Sequence, residues 1–287
     1  SGALRMMAVK PPGTIRIFIF GESAAMGDPE PSYGPARYLE MLLLAKFPDT
    51  KFEIVNTAFA AINSHVVLPI ARECAAHDGD VWIVYMGNNE MVGPYGAATV
   101  FGRRSPPLAY VRFLTAVQTT RVGQLCVNLS RRLHRQGKSL PSWGGLQMFM
   151  QNEIPPDSPL KQNVYHSFQA NLDGIVRAGL GSGAKILLNT VAVNLRDCPP
   201  FASRHDPGLS PADLAQFNQS YTNGLRAEAQ TNLAGAEADF AQAQVHLGKT
   251  EVTPFFHPEL RFPVSLFCRR HGRLSVNRQL YESKNQQ

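Results

Sequence analysis

The 287 residues are 44% hydrophobic and 17% charged, enough apolar mass for a packed core and too little charge for a disordered chain. No apolar run approaches the ~20 residues of a membrane span, and the opening SGALRMMAVKPPGT lacks a signal peptide's apolar stretch, so no stable membrane insertion is expected and the default compartment is cytoplasmic. Cys74, Cys126, Cys198 and Cys268 are scattered with no C-x-x-C pair, which argues against a structural zinc site or disulfide scaffold and predicts reduced, mostly buried thiols.

In chain order, four apolar segments read as buried strands: Ile15–Phe20, Phe52–Asn56, Val81–Met86 and Lys185–Thr190. Helical patterns fall between them, at about 34–47, 64–77, 107–136 and 160–179. Alternating strand and helix predicts an α/β fold, a doubly wound parallel sheet with right-handed crossovers. Such sheets bind ligands at the carboxyl ends of their strands. Within the third helical pattern, "RVGQLCVNLSRRLHRQGK" (121–138) gathers part of the net charge of +6. Its Val122, Leu125, Leu129 and Leu133 recur at helical spacing and predict an inward apolar stripe beneath a basic outer face. The alternative to a solvated basic face is a contact with a membrane surface or a nucleic acid; without interleaved aromatics or a nucleic-acid motif, no nucleic-acid partner is expected.

Residues 137–160 are rich in Pro and Gly and carry Trp143, Met148, Phe149 and Met150, the composition of a lid or of a loop packed beneath a neighbour. From Ser210 the character changes. "SPAD" is a helix start, and the Ala-rich stretch to Leu247 reads as two helices broken near Thr231–Asn232. The expected organisation is an α/β domain over 1–209, a helical appendage over 210–249 and an atypical tail over 250–287.

Each of the first three strands ends in a small or polar motif. The first delivers Gly21-Glu22-Ser23-Ala24-Ala25-Met26-Gly27, the second "NTAFAAINS" (56–64), the third "MGNNEMVG" (86–93). Singly each is an ordinary turn or loop. At three consecutive strand ends, they converge on one patch of space.

Together these motifs resemble the SGNH hydrolases, the GDSL-type esterase and lipase superfamily, whose flavodoxin-like sheet implies the strand order 2-1-3-4. The family's first block, G-D-S-x-x-x-G, is similar to GESAAMG and makes Ser23 the nucleophile. Its second block supplies an oxyanion-hole backbone N–H from a Gly; that position falls on Ala61. Its third block, G-x-N-D, falls on Gly87-Asn88-Asn89-Glu90, making Asn89 the oxyanion-hole side chain. Glu22 and Glu90 both stand where the family carries Asp. An N–H donor survives the change from Gly to Ala unless the backbone there needs a positive φ. More narrowly, "YMGNNEMVGPYG" and "TVAVNLRDCPPFASRH" resemble a bacterial subgroup with tetratricopeptide-like helices inserted late in the chain. The resemblance covers roughly residues 14–248.

The family's last block, D-x-x-H, has no counterpart near the C-terminus, and the text after about Thr250 reads as a frameshift or truncation would leave it. A base must then come from elsewhere. His205, in "PPFASRHDPG", follows the fourth strand and starts from the same carboxyl edge as Ser23. His257 and His271 lie in the tail, His271 after the strand-like Phe262–Phe267. His65 begins a helix beside the second block and reads as a packing residue; His134 sits among basic residues. A chain with no catalytic histidine at all is the remaining alternative. Asp206 adjoins His205 too closely to orient it, and Asp197 has the reach without a motif.

The resemblance implies a serine esterase acting on small acyl esters through a covalent acyl-enzyme, with Ser23 and His205 catalytic and the Ser23 N–H, the Ala61 N–H and Asn89 forming the oxyanion hole. It implies no metal and no cofactor. An O-acetyltransferase that passes the acyl group to a carbohydrate is the alternative enzyme. A degenerate scaffold that binds a partner is the alternative without catalysis. The fourth strand lacks a clear neighbour other than Phe262–Phe267, and an open edge predicts a homodimer, by edge pairing or by exchange of the C-terminal segment.

Overall fold

The computed structural model describes residues 6–99, 102–133, 152, 154, 158–192, 208–246 and 275–276. Two compact units divide the chain, Ser1–Ala192 with Glu259–Gln287, and Val193–Pro258.

In the first unit, β1 (Thr14–Gly21) leads into the single-turn α1 (Ser23–Met26), then α2 (Pro35–Lys46), β2 (Lys51–Asn56), α3 (Ser64–Cys74) and β3 (Val81–Tyr85). A two-residue hairpin of β4 (Ala98–Thr99) and β5 (Gly102–Arg103) precedes α4 (Leu108–Thr119), α5 (Arg121–Leu133), α6 (Pro159–Gly181) and β6 (Lys185–Asn189). The sheet runs β2-β1-β3-β6-β7, all parallel: its first four strands take the expected order 2-1-3-4, and β7 is an added fifth. The long helix expected over 107–136 is two helices, because Thr120 is extended and its N–H bonds back to the Val117 carbonyl.

β7 is the short Ser275–Val276, which pairs with Leu187 and Leu188 of β6. The edge of the fourth strand is therefore covered over two residues, by a later segment than the one expected. Phe262–Phe267 lies outside the described residues, as do most of the 137–160 loop, Cys198, Cys268, His134, Asp197, His205, Asp206, His257 and His271.

β1 is buried on both faces from Arg16 onward, as its unbroken apolar run requires. Phe18, Phe20, Trp82, Val84, Ile186 and Leu188 meet Val67 and Leu68 of α3 and Phe168, Leu172, Ile175 and Val176 of α6 in the main core. A smaller cluster of Ile19, Ala25 and Ala58, with Leu39 and Ile83 against it, fills the opposite face near α2. In β3 and β6 only alternate residues are buried, contrary to the expected fully buried strands. Trp82, Val84, Ile186 and Leu188 face the core, whereas Ile83 stays half-buried and Leu187 exposed.

Inside the first strand pair lies one charged exception. Arg16 is fully buried, yet its guanidinium reaches Glu53 Oε2 at 2.7 Å, the His77 carbonyl at 2.6 Å and the Met7 carbonyl at 2.8 Å. Arg16 and Glu53 are register partners of β1 and β2, so a slip of one residue would strand a buried charge.

The second unit contains α7 (Pro211–Ala229) and α8 (Leu233–His246), broken at Thr231, whose φ is 59°. Ser210 caps α7 by accepting the Asp213 N–H at 3.1 Å. Tyr221 joins the pair, with ring centroids 5.7 Å from Phe217 and 5.7 Å from Phe240.

Candidate active site

Ser23 leaves the carboxyl end of β1 at the first position of α1. Two glycines make that turn possible. A Cβ on Gly21 would lie 2.1 Å from the Tyr85 carbonyl oxygen and 2.4 Å from the Ala25 Cβ, so only glycine lets β1 turn so close to β3. Gly27 closes the turn at φ 91°, its N–H bonded to the Ser23 carbonyl, where a Cβ would meet Gly34 Cα at 2.5 Å. Among the described residues, no side chain hydrogen-bonds the Ser23 hydroxyl.

The residue before it ties the turn to the third motif. Glu22 is 1% exposed, and its carboxylate accepts the Asn89 backbone N–H at 2.9 Å and the Gly87 N–H at 3.4 Å. Asn89 in turn reaches the second motif, donating its side-chain amide to the Ile62 carbonyl at 3.0 Å. Glu90 is also buried and makes a second tie, accepting both the Ser64 N–H and the Ser64 hydroxyl at 2.8 Å. The three strand-end motifs are thus stitched together at the carboxyl edge of the sheet. His205, the remaining expected member, lies outside the described residues.

The two glutamates were visible in the sequence only as replacements for Asp. Their task as clamps appears once the loops are brought together. Burial raises the Glu22 carboxyl to about 8, with the Glu90 charge adding to the rise and the Asn89, Gly87 and Asn88 N–H groups opposing it. Burial likewise raises Glu90 to about 7, against the two hydrogen bonds from Ser64. A charge on Glu90 thus helps to hold the proton on Glu22.

Ala61 occupies the condition that makes its replacement of Gly costly: φ is 60°, in the left-handed region. The position is exposed, so relief of backbone strain is the main consequence of restoring glycine. Ala61→Gly is expected to stabilise the fold by about 0.5–1 kcal/mol, the strain relieved outweighing the added freedom of the unfolded chain. Urea unfolding of the two proteins measures it; a loss of stability would contradict the strain.

His65 is the histidine brought nearest to these motifs in sequence, and its ring serves packing. Asn171 Nδ2 lies 3.2 Å from His65 Nδ1 and 3.1 Å from the Ser64 hydroxyl, and Tyr95 meets the imidazole edge-on. Burial, followed by the charge of Arg112, lowers His65 to about 4, so it is neutral at neutral pH. Sequence reading missed Asn171, which stands 107 residues from Ser64 with no motif to pair them.

An open apolar cleft of about 400 Å³ adjoins α1, lined by Ile19, Ala24, Ala25, Leu39, Ile83 and Tyr85, with Asn189 at its polar end.

The chain is similar in structure to the crystal structure of TesA. The TM-score is 0.35 and the identity 13%, over 84% of this chain and 99% of that one. Neither a protein-family model nor a curated protein matches the chain. So distant a likeness has no bearing on the chemistry, which rests on the residues themselves.

Proposed function

We propose that the chain is an SGNH-type serine hydrolase that cleaves small acyl esters through an acyl-enzyme on Ser23. The observation that carries this reading is the Glu22 bridge, which ties the residue before Ser23 to the backbone N–H of Asn89 at 2.9 Å. A nucleophile turn has no need of that bridge unless the third loop must keep a set position relative to it.

In this reading the Ser23 oxygen attacks the ester carbonyl carbon while a histidine takes its proton, His205 being the candidate. The oxyanion that forms accepts hydrogen bonds from the Ser23 N–H, the Ala61 N–H and the Asn89 amide. One proton of that amide holds the Ile62 carbonyl, which orients the group, and the second is left for the oxyanion. The alcohol leaves with the proton from the histidine, and water then releases the acid by the same sequence in reverse. The apolar cleft beside Ala24 and Ala25 supports an acyl group as the part of the substrate bound there.

A fluorophosphonate probe tests the nucleophile. Mass spectrometry of the treated protein is expected to find the phosphonyl adduct on Ser23, with loss of p-nitrophenyl acetate hydrolysis in step with labelling. A folded protein that carries no adduct at Ser23 overturns the reading and leaves a non-catalytic scaffold in its place.

A further inference from the structure

Between Glu90 and Glu153 the chain has no acidic residue and eight Lys or Arg, although its net charge is only +6. The helices α4 and α5 are built from this stretch. Sequence periodicity predicts that α5 turns its apolar stripe inward, and the structure does the opposite. Val122 is 71% exposed, Leu125 67% and Leu129 54%, and Cys126, expected to be buried, is exposed among them.

The reason is that α5 packs by a different edge. Gly123 is buried so tightly against the end of α4 that a Cβ there would lie 1.8 Å from the Val117 carbonyl oxygen, and Val127 is half-buried. That contact leaves Val122, Leu125 and Leu129, at i, i+3 and i+7, on the outside. Arg121 is exposed beside them. α4 repeats the pattern with Tyr110, Phe113 and Val117, again at i, i+3 and i+7 and exposed, Phe113 by 64%. Val111, on another side of that helix, is buried.

Arginines alone would suit a nucleic acid, but its phosphates would leave the aliphatic stripe of α5 in water. A second protein would need no excess of one charge sign. The boundary between lipid headgroups and acyl chains accepts both parts, the apolar stripe below and the guanidinium groups among phosphates. We propose that the α4–α5 surface docks peripherally on an anionic phospholipid membrane, with Val122, Leu125 and Leu129 entering the headgroup boundary. Docking is in the plane of the membrane: among the described residues no helix is long and apolar enough to cross one.

Co-sedimentation of the full chain with vesicles tests this. Vesicles of phosphatidylcholine with phosphatidylglycerol should bind at least about tenfold more tightly than phosphatidylcholine alone, and added salt should weaken the binding. The double variant Leu125→Glu with Leu129→Glu should lose about tenfold or more in vesicle affinity. Its circular dichroism and melting should be unchanged, since both side chains are exposed in the wild type. Equal binding to neutral and anionic vesicles overturns the proposal, as does full binding by the double variant. Two further results also overturn it: duplex DNA bound as tightly as vesicles and indifferent to the double substitution, or a wild-type dimer that the substitution splits while vesicles bind neither protein.

Discussion

Ser23→Ala is expected to lower kcat/KM for p-nitrophenyl acetate by about 10³-fold or more, because the oxyanion donors alone retain only a small part of the catalysis of an intact site. The fold should not notice the change. Ser23 is half-buried, and no described side chain depends on its hydroxyl, so the melting temperature should stay within a degree or so of wild type, the scatter expected of a neutral surface change. The pH–rate profile adds the identity of the base. A histidine acting on Ser23 gives an inflection near the free imidazole value of about 6.5, which His205→Ala should abolish if His205 is that group. His65 is not the source of such an inflection, since burial already holds it down to about 4. Equal rates for wild type and Ser23→Ala would remove the enzyme from consideration, and an inflection that survives His205→Ala would transfer the role to another histidine.

The buried carboxyl pair should make stability fall with rising pH across the neutral range. The sign follows from the direction of the shifts. Both glutamates are raised in the folded state, Glu90 to about 7 and Glu22 to about 8, so between the unfolded carboxyl value and those values the native state holds protons that the unfolded chain has released. Their stabilisation is complete below the unfolded value and is lost as pH rises through the folded ones. His65 acts oppositely: lowered to about 4, it adds stability as pH rises toward the imidazole value of about 6.5 and nothing beyond it. The glutamate signal is therefore cleanest above that value. From there to pH 8.5 urea unfolding should lose about 3 kcal/mol. Glu22→Gln should flatten the upper part of the fall, having no proton to lose. Below neutral pH Glu22→Ala should be less stable than wild type by roughly 2–4 kcal/mol, because the Asn89 and Gly87 N–H groups lose their acceptor in a buried place. The gap should narrow as pH rises through about 8 and wild type loses its own proton. A wild-type profile that is level or rising over this range would contradict the protonated pair.

These expectations divide by what local pattern can encode. The strands were legible because an unbroken apolar run such as Ile17–Phe20 has few places to go other than a sheet centre, and alternating helices then imply parallel pairing. The three strand-end motifs that carry Ser23, Ala61 and Asn89 were legible as neighbours for a related reason, since consecutive parallel strands bring their carboxyl ends to one edge. Ser210, as the cap of α7, and the break at Thr231 are likewise local chemistry.

What the tertiary structure alone decided is everything that depends on a partner distant in the chain. Glu22 and Glu90 become clamps only when loops 67 and 26 residues away supply their donors. Ala61 shows its strain only through its backbone angle, which composition does not carry. The apolar stripe of α5 would face a core in an isolated reading of its period, because periodicity marks an apolar face without saying which neighbour it meets. Gly123 settled that question. Its missing side chain lets the small-residue edge pack at closer range than the leucine edge, and the leucines are left facing outward.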